Sequence, residues 1–201
     1  MKKGLLLVIS GPAGTGKSKV CEHLLKTGDY IFSISATTRD PRPGETPEVS
    51  YHYISREEFI SKLKAGELME HTEYCGNYYG TIKKEAEDIL ASGMNLLLDI
   101  EVEGARMVKA KYPDSVLIFL LPPDFATQEK RLRGRATEPE QKILERLERA
   151  KEELKYVGCY DYVVYNYDNR DTEAAAQILS IVDAERAAIK RHPDIAKKYF
   201  S

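Results

Sequence analysis

Residues Gly11-Pro12-Ala13-Gly14-Thr15-Gly16-Lys17-Ser18 fit the spacing G-x-x-x-x-G-K-[ST], a pattern that cradles the phosphates of a nucleoside triphosphate. Glycines let backbone N–H groups turn toward phosphate oxygens with no Cβ in the way. A helix opening at the end of the loop adds the positive end of its dipole. Lys17 has the reach for the β- and γ-phosphates, and the Ser18 hydroxyl is a ligand for Mg²⁺. The pattern needs a strand before it and a helix after it. Leu5-Leu6-Leu7-Val8-Ile9 reads as a buried parallel strand, and Val20, Leu24 and Leu25 follow at helical spacing. An unliganded Gly-rich turn is the plain alternative, and the complete pattern in this context argues against it. The motif specifies a triphosphate and leaves the phosphate acceptor open.

Other residues bear on the acceptor. Asp99 closes the apolar run Leu96-Leu97-Leu98, and a carboxylate at the C-terminal end of a buried strand sits where α/β sheets place ligands. There it helps hold Mg²⁺, directly or through water; an ordinary helix cap is the alternative. Glu101 and Glu103 follow, each either within reach of the site or a solvated helix-start acid, and for Glu103 the solvated reading leads. Arg39 and Arg42 lie in a stretch stiffened by Pro41, Pro43 and Pro47, where guanidinium forks match phosphate oxygens. Arg131, Arg133, Arg135, Arg146 and Arg149 form a second basic set suited to a mobile lid over migrating charge. Surface pairing with helical neighbours explains Arg146 and Arg149 equally well, and Arg135, beside Gly134, is the better lid candidate. Tyr51, Tyr78 and Tyr79 have hydroxyls for phosphate, although tyrosines in short strands more often pack. His23, His52, His71 and His192 form no triad or metal spacing and read as structural or exposed. No Ser-His-Asp set, paired-carboxylate site or zinc pattern competes, which fits phosphoryl transfer to a phosphate acceptor: such a group is already an oxyanion near neutral pH, with its second pKa at about 6, and needs no general base. Charge neutralisation, in-line positioning and exclusion of water suffice.

The elements that must position these residues alternate as in an α/β fold. Strands are expected at Tyr30 to Ser35, Tyr51 to Ile54, Leu68 to Tyr74, Met94 to Ile100, Val116 to Leu121 and Tyr162 to Tyr165. Ser55-Arg56-Glu57-Glu58 has capping-box spacing for a helix with Phe59, Ile60 and Leu63 on its apolar face. Gly76 to Gly80 reads as a turn, with Thr81 capping a helix to about Ala91. Glu103 to Lys111 is helical, Asp124 caps a helix to about Arg133, and Thr137 to Glu140 is a second capping box with Pro139 in the first turn. Ile143, Leu147, Ala150 and Leu154 line one face of the helix that follows. Thr172 to Arg191 is a long amphipathic helix with Ile178, Ile181, Val182 and Ile189 inward. The expected architecture is one domain over 1–201. A P-loop-type parallel sheet flanked by helices occupies 1–34, 82–130 and 150–201. A small mixed α+β insert occupies 35–81, and a helical lid 131–149.

The chain has 201 residues, 42% hydrophobic, with a net charge of -2, so it can bury a core and lacks the global basic field of a nucleic-acid binder. Cys21, Cys75 and Cys159 have no metal-type spacing and suit a reducing cytoplasm. No signal peptide is expected before the first strand, and no apolar run reaches membrane-spanning length. Protein partners are not indicated.

From the first strand to the last helix the chain resembles the guanylate kinase family. The resemblance is carried by Ile9 to Ser18, by Ser33-Ile34-Ser35-Ala36-Thr37-Thr38-Arg39 with Pro41-Arg42 and Gly44-Glu45, by Gly76-Asn77-Tyr78-Tyr79-Gly80-Thr81, by Leu98-Asp99-Ile100, and by Arg131-Leu132-Arg133-Gly134-Arg135. It implies ATP- and Mg²⁺-dependent phosphorylation of GMP or dGMP by a core, a monophosphate-binding insert and a lid. By that likeness Arg39, Arg42, Tyr51 and Tyr79 hold the GMP phosphate. Ser35, Glu70 and Thr81 read the guanine edge, with Asp99 and Glu101 beside the GMP. Lys17, Arg39, Arg135 and Arg146 stabilise the migrating phosphoryl group, and Arg131 and Asn166 belong to the ATP site. An ionised Glu70 accepts from both N1–H and the 2-amino group of guanine; adenine offers neither donor and leaves it unpaired.

The family often has aspartate where Glu101 stands, glutamine where Glu103 stands, glycine where Ala136 follows Arg135, and threonine where Lys19 follows Ser18. The longer Glu101 shifts a contact to either the guanine or the metal-bound water, and Ala136 stiffens the hinge. Two other readings remain: a phosphotransferase with another acceptor, which Glu70, Ser35 and Thr81 oppose, and a non-catalytic binding module, which the intact P-loop opposes. Three elements converging on two nucleotides imply closure on binding.

Overall fold

A computed structural model describes residues 3–74, 76–134 and 139–200. Along the chain these form β1 (Leu6–Ser10), α1 (Lys17–Leu25), β2 (Tyr30–Phe32), β3 (Ser35–Thr37), β4 (His52–Tyr53), α2 (Arg56–Lys64), β5 (Leu68–Tyr74), β6 (Asn77–Ile82) and α3 (Lys83–Ala91). Then come β7 (Asn95–Asp99), α4 (Val102–Lys111), β8 (Val116–Leu121), α5 (Phe125–Arg133), α6 (Glu140–Leu154), β9 (Tyr162–Tyr165), α7 (Asp171–Ala187) and α8 (Ile195–Tyr199).

The strands make two sheets. The first has the order β2-β7-β1-β8-β9 and is parallel throughout. Its strands are apolar at successive positions because both faces are covered. Leu7, Ile9, Leu97, Ile118 and Leu120 meet Val20 and Leu24 of α1 and Ile178 and Val182 of α7. The alternate residues Leu6, Val8, Leu96, Leu98 and Leu117 meet Ala86 and Leu90 of α3 and Ala105 and Val108 of α4. The second sheet, β4-β3-β6-β5, is mixed: β3 and β4 run parallel, and β6 is antiparallel to both β3 and β5. Phe59 of α2 plugs its own small core with Ala36 and Leu68. Met69 of β5 is buried in the core of the first sheet, which ties the two together.

Four expectations change. Tyr30 to Ser35 is two strands: Phe32 ends the pairing with β7, the Ser33 N–H makes a last bond to the Leu97 carbonyl, and the chain crosses to the second sheet at Ser35. Asn77 to Ile82 is a strand and not a turn. Tyr78 stacks on Phe59 at 5.3 Å, and the Thr81 hydroxyl donates to Glu70 instead of capping α3, whose N-cap is Ile82. Pro139 is the N-cap of α6, while Thr137 and Glu138 lie outside the described residues. α7 stops at Ala187 because Ala188 is extended, and Ile189 is 72% exposed in a single 3₁₀ turn. The caps at Ser55 and Asp124 form as read, accepting from the N–H groups of Glu58 and Thr127. His23 pairs with Asp171, His52 with Glu48 and Glu85, and His192 with the Arg186 carbonyl.

Candidate functional site

The P-loop joins β1 to α1. Gly16, the residue before the helix, has φ +87, and a Cβ there would lie 2.5 Å from Asn166 Nδ2. Only glycine meets both demands. The loop is held from outside by its carbonyls. Gln128 Nε2 donates to Ala13 O at 2.9 Å, Asn166 Nδ2 to Thr15 O at 2.9 Å, and Arg131 Nη1 to Gly14 O and Thr15 O at 3.5 Å. That bracing leaves the loop's N–H groups to an anion. Lys17 arcs back over the loop, and its ammonium donates to Gly11 O at 2.6 Å.

Strand register puts a carboxylate beside this loop. Ile9 of β1 is level with Asp99 of β7, and the Ser10 hydroxyl ties the two strand ends by donating to Ile100 O at 2.7 Å. Burial raises the Asp99 carboxyl above the ordinary range; the Lys17 ammonium opposes the shift and Glu101 adds to it.

The cleft over these strand ends has two chambers. One, of 450 Å³, is lined by Ala13 to Ser18, Lys19, Arg146, Arg149 and Glu153. The other, of 230 Å³, is lined by Ser35, Arg39, Glu70, Thr72, Tyr79, Gly80 and Ile100. Arg42, Tyr51, Tyr74, Asp99 and Glu101 border both. The chambers therefore meet at a wall carrying an arginine and two carboxylates.

The smaller chamber is built on the second sheet. Ser35 of β3, Thr81 of β6 and Glu70 of β5 stand on one rung of the ladder, and Thr37, Tyr79 and Thr72 stand two rungs on. The strand period of two puts Glu70, Thr72 and Tyr74 on the same face. Glu70 is 2% exposed, and its Oε1 accepts the Thr81 hydroxyl at 2.8 Å. Burial pushes its pKa up to about 6, with the Thr81 bonds and the Lys111 charge working against the rise. Thr81, fully buried, stands behind Glu70 and does not itself line the chamber.

Arg39 makes a two-pronged pair with Glu45, both bonds 2.7 Å, and lies 4.9 Å from the Tyr51 ring centre. The Tyr53 hydroxyl and the Arg42 N–H also donate to Glu45 Oε2, each at 2.8 Å. These donors, Arg39 first, hold the Glu45 carboxyl at about 2. Tyr51 packs edge-on to Tyr79 at 6.1 Å, and burial raises its hydroxyl. Arg149 of α6 reaches across to Glu101 at 3.2 Å, pairs with Glu153 at 3.0 Å and covers the Tyr74 ring at 4.4 Å. It touches a helix neighbour and the cleft at once.

Of the residues expected at the site, Gly11 and Pro12 form the start of the loop, and Arg131 and Asn166 brace its outer side without lining either chamber. Arg146 lines the larger chamber, and Arg135 lies outside the described residues. Sequence reasoning assigned no role to Tyr74, Thr72 and Gln128, and met Glu45 only as part of the resembling stretch Gly44-Glu45. The signal for Thr72 and Tyr74 was the two-residue period starting at Glu70. The pairing of Glu45 with Arg39 carried no periodic signal, since an irregular loop separates them.

A family model described as guanylate kinase matches residues 3–185. A guanylate kinase from Clostridium tetani is 42% identical over 194 residues, 96% of this chain and 92% of the relative. One from Clostridioides difficile is 41% identical over 100% of this chain and 97% of the relative. The crystal structure of a guanylate kinase from Anaplasma phagocytophilum superposes with a TM-score of 0.76 at 33% identity, covering 95% of this chain and 90% of that one.

Proposed function

The chain belongs to the guanylate kinase family and phosphorylates GMP using ATP, and we propose from that premise how its own residues divide the work. The larger chamber takes ATP: the N–H groups of the loop and Lys17 hold the β- and γ-phosphates, with Arg131 and Asn166 keeping the loop in shape. The smaller chamber takes GMP. Arg39, Arg42, Tyr51 and Tyr79 hold its phosphate. Ser35 and Glu70 meet the guanine edge, and Thr81 acts through Glu70. The observation that carries this assignment is the shared wall, since in-line transfer needs two phosphate sites that abut.

A phosphate oxygen of GMP attacks the γ-phosphorus, and the bond from that phosphorus to the β–γ bridging oxygen breaks. ADP leaves with the electron pair, and GDP forms with no proton transfer required. Lys17, Arg39, Arg146 and Arg135 neutralise the charge that spreads over the transferred group. Arg39 first gives up Glu45 for the GMP phosphate, a dianion whose oxygens suit the same fork.

The Ser18 hydroxyl and the Asp99 carboxylate line the chamber that holds Lys17. They are oxygen donors only, and among the described residues no group of three or more His, Cys, Asp or Glu forms an all-protein metal cage. That donor set fits Mg²⁺, which keeps waters and substrate phosphates as its other ligands. When bound, Mg²⁺ neutralises charge on the phosphate oxygens. Glu101, in the wall shared by both chambers, lies beside the GMP in this reading.

Residues 35–81 act as the GMP-binding unit and 131–149 as the lid over a core of 1–34, 82–130 and 150–201. Arg149 already bridges the lid helix to Glu101 and Tyr74, a contact suited to closure. dGMP is accepted as well, because Glu70 and Ser35 address the base and not the sugar. We place the reaction in the cytoplasm, consistent with the free thiols of Cys21 and Cys159, with no nucleic-acid or membrane partner. Among the described residues no helix is long and apolar enough to cross a membrane. ADP release measured with GMP, dGMP, AMP, CMP and UMP tests the reading. Turnover with GMP and dGMP is expected to exceed the others, and equal turnover with AMP would overturn it.

A further inference from the structure

Gly104 lies at the third position of α4, a helix interior where glycine is disfavoured against alanine. It is not among the glycines with positive φ, so the backbone conformation there suits any residue. What demands glycine is space. A Cβ at this position would lie 2.5 Å from Glu70 Oε2, 3.3 Å from Glu70 Cδ and 3.4 Å from Ile100 Cδ1. Glu70 is therefore pressed between Thr81, which holds Oε1 at 2.8 Å, and the bare backbone of Gly104 beside Oε2.

The helix has no freedom to back away. Ala105 and Val108 of α4 are fully buried against the first sheet with Met69 of β5. Lys111, at the far end of α4, donates to the Met69 carbonyl at 3.0 Å. An added methyl group would displace the softer partner, the end of the Glu70 side chain. Ile100 and Glu101, immediately before α4, line the same chamber.

We propose that Gly104 is a positioning residue for base selection, setting the Glu70 carboxylate at the distance and angle the guanine edge requires. The inference rests on the reading of the smaller chamber as the GMP site. Glu70 accepts two donors from guanine in parallel, so a displaced carboxylate loses alignment with both. The atoms nearest a Cβ at Gly104 belong to Glu70 and Ile100, and none to the residues proposed to hold the phosphates of GMP or ATP.

The test is steady-state kinetics on Gly104→Ala, alone and combined with Glu70→Asp. The single variant is expected to raise KM for GMP about tenfold to a hundredfold, the effect of misaligning charge-assisted hydrogen bonds. KM for ATP and kcat with saturating GMP stay within about twofold, and the melting temperature does not fall. In the Glu70→Asp background the carboxylate is drawn back by one methylene, so adding Gly104→Ala changes KM for GMP by less than about twofold. An unchanged KM for GMP in the single variant overturns the proposal. So does an equal effect in both backgrounds, or a lowered melting temperature with both KM values rising together. If the unmodified enzyme fails to prefer GMP over AMP, the assignment of the chamber itself fails, a result distinct from these.

Discussion

The two chambers share a wall but are made of different material. The chamber proposed for ATP is centred on main chain, one loop of consecutive residues between β1 and α1 pinned by its carbonyls and set by the conformation of Gly16, with side chains of α6 and the shared wall around it. The GMP side is mostly side chains, contributed by three strands and an irregular segment, and aligned by the rungs of the second sheet. A phosphate chain is recognised by repeating N–H groups, for which the backbone suffices. The guanine edge is an asymmetric set of one acceptor and two donors, and the two donors need an acceptor of defined place and charge such as Glu70.

Substitutions can separate the two sides, and the largest effect is expected on the ATP side. Lys17→Ala removes a charge that acts on the migrating group; kcat is expected to fall about a thousandfold, with a melting curve unchanged because Lys17 lies outside the core clusters. Equal loss of structure would show that the lysine supports the loop itself.

Glu70→Gln breaks the GMP side alone. KM for GMP rises about a hundredfold, from two charge-assisted bonds replaced by a mismatched amide, while KM for ATP holds. The same variant is more stable at neutral pH. The folded pKa of Glu70, about 6, lies above its ordinary value of 4.5, so the fold favours the protonated acid. Its contribution is fully present below pH 4.5 and is lost as pH rises through about 6. Glutamine avoids that loss, of about 2 kcal/mol, and urea melts at pH 4 and pH 7 compare the two. KM for GMP should also rise as pH falls below about 6, where Glu70 takes up a proton. The GMP phosphate titrates near the same pH, and Glu70→Gln retains the phosphate limb while lacking the Glu70 limb.

Arg39→Lys sharpens the comparison further, since it keeps the charge and removes the fork; KM for GMP is expected to rise about tenfold with kcat little changed. Ser55→Ala gives the smallest effect. It removes the cap of α2 beneath the second sheet and costs about 1 kcal/mol in a urea melt, with both KM values held. A change in KM for ATP would show that the second sheet's stability reaches the loop.

The parts of the molecule that were legible along the chain are those built from neighbours. The P-loop, the apolar strands β1, β7 and β8, the caps at Ser55 and Asp124, and the strand Leu68–Tyr74 all announce themselves within a few residues. Misreadings arose where tertiary contact outweighed local preference. Asn77 to Ile82 carries turn residues, yet pairing on both sides makes it a strand. Tyr30 to Ser35 alternates like one strand, yet its halves belong to different sheets.

The sequence by itself determined that the chain has a triphosphate loop on a parallel α/β core, because that motif is contiguous and its flanking elements follow from hydrophobic period. Resemblance to a family supplied Glu70, Ser35 and Thr81. Only the tertiary structure decided that these three stand on one rung, that Glu45 holds Arg39, that Arg149 spans the cleft, and that Gly104 leaves room for the Glu70 carboxylate. Each depends on side chains brought together from distant parts of the chain, where register and close packing set the distances and no local pattern records them.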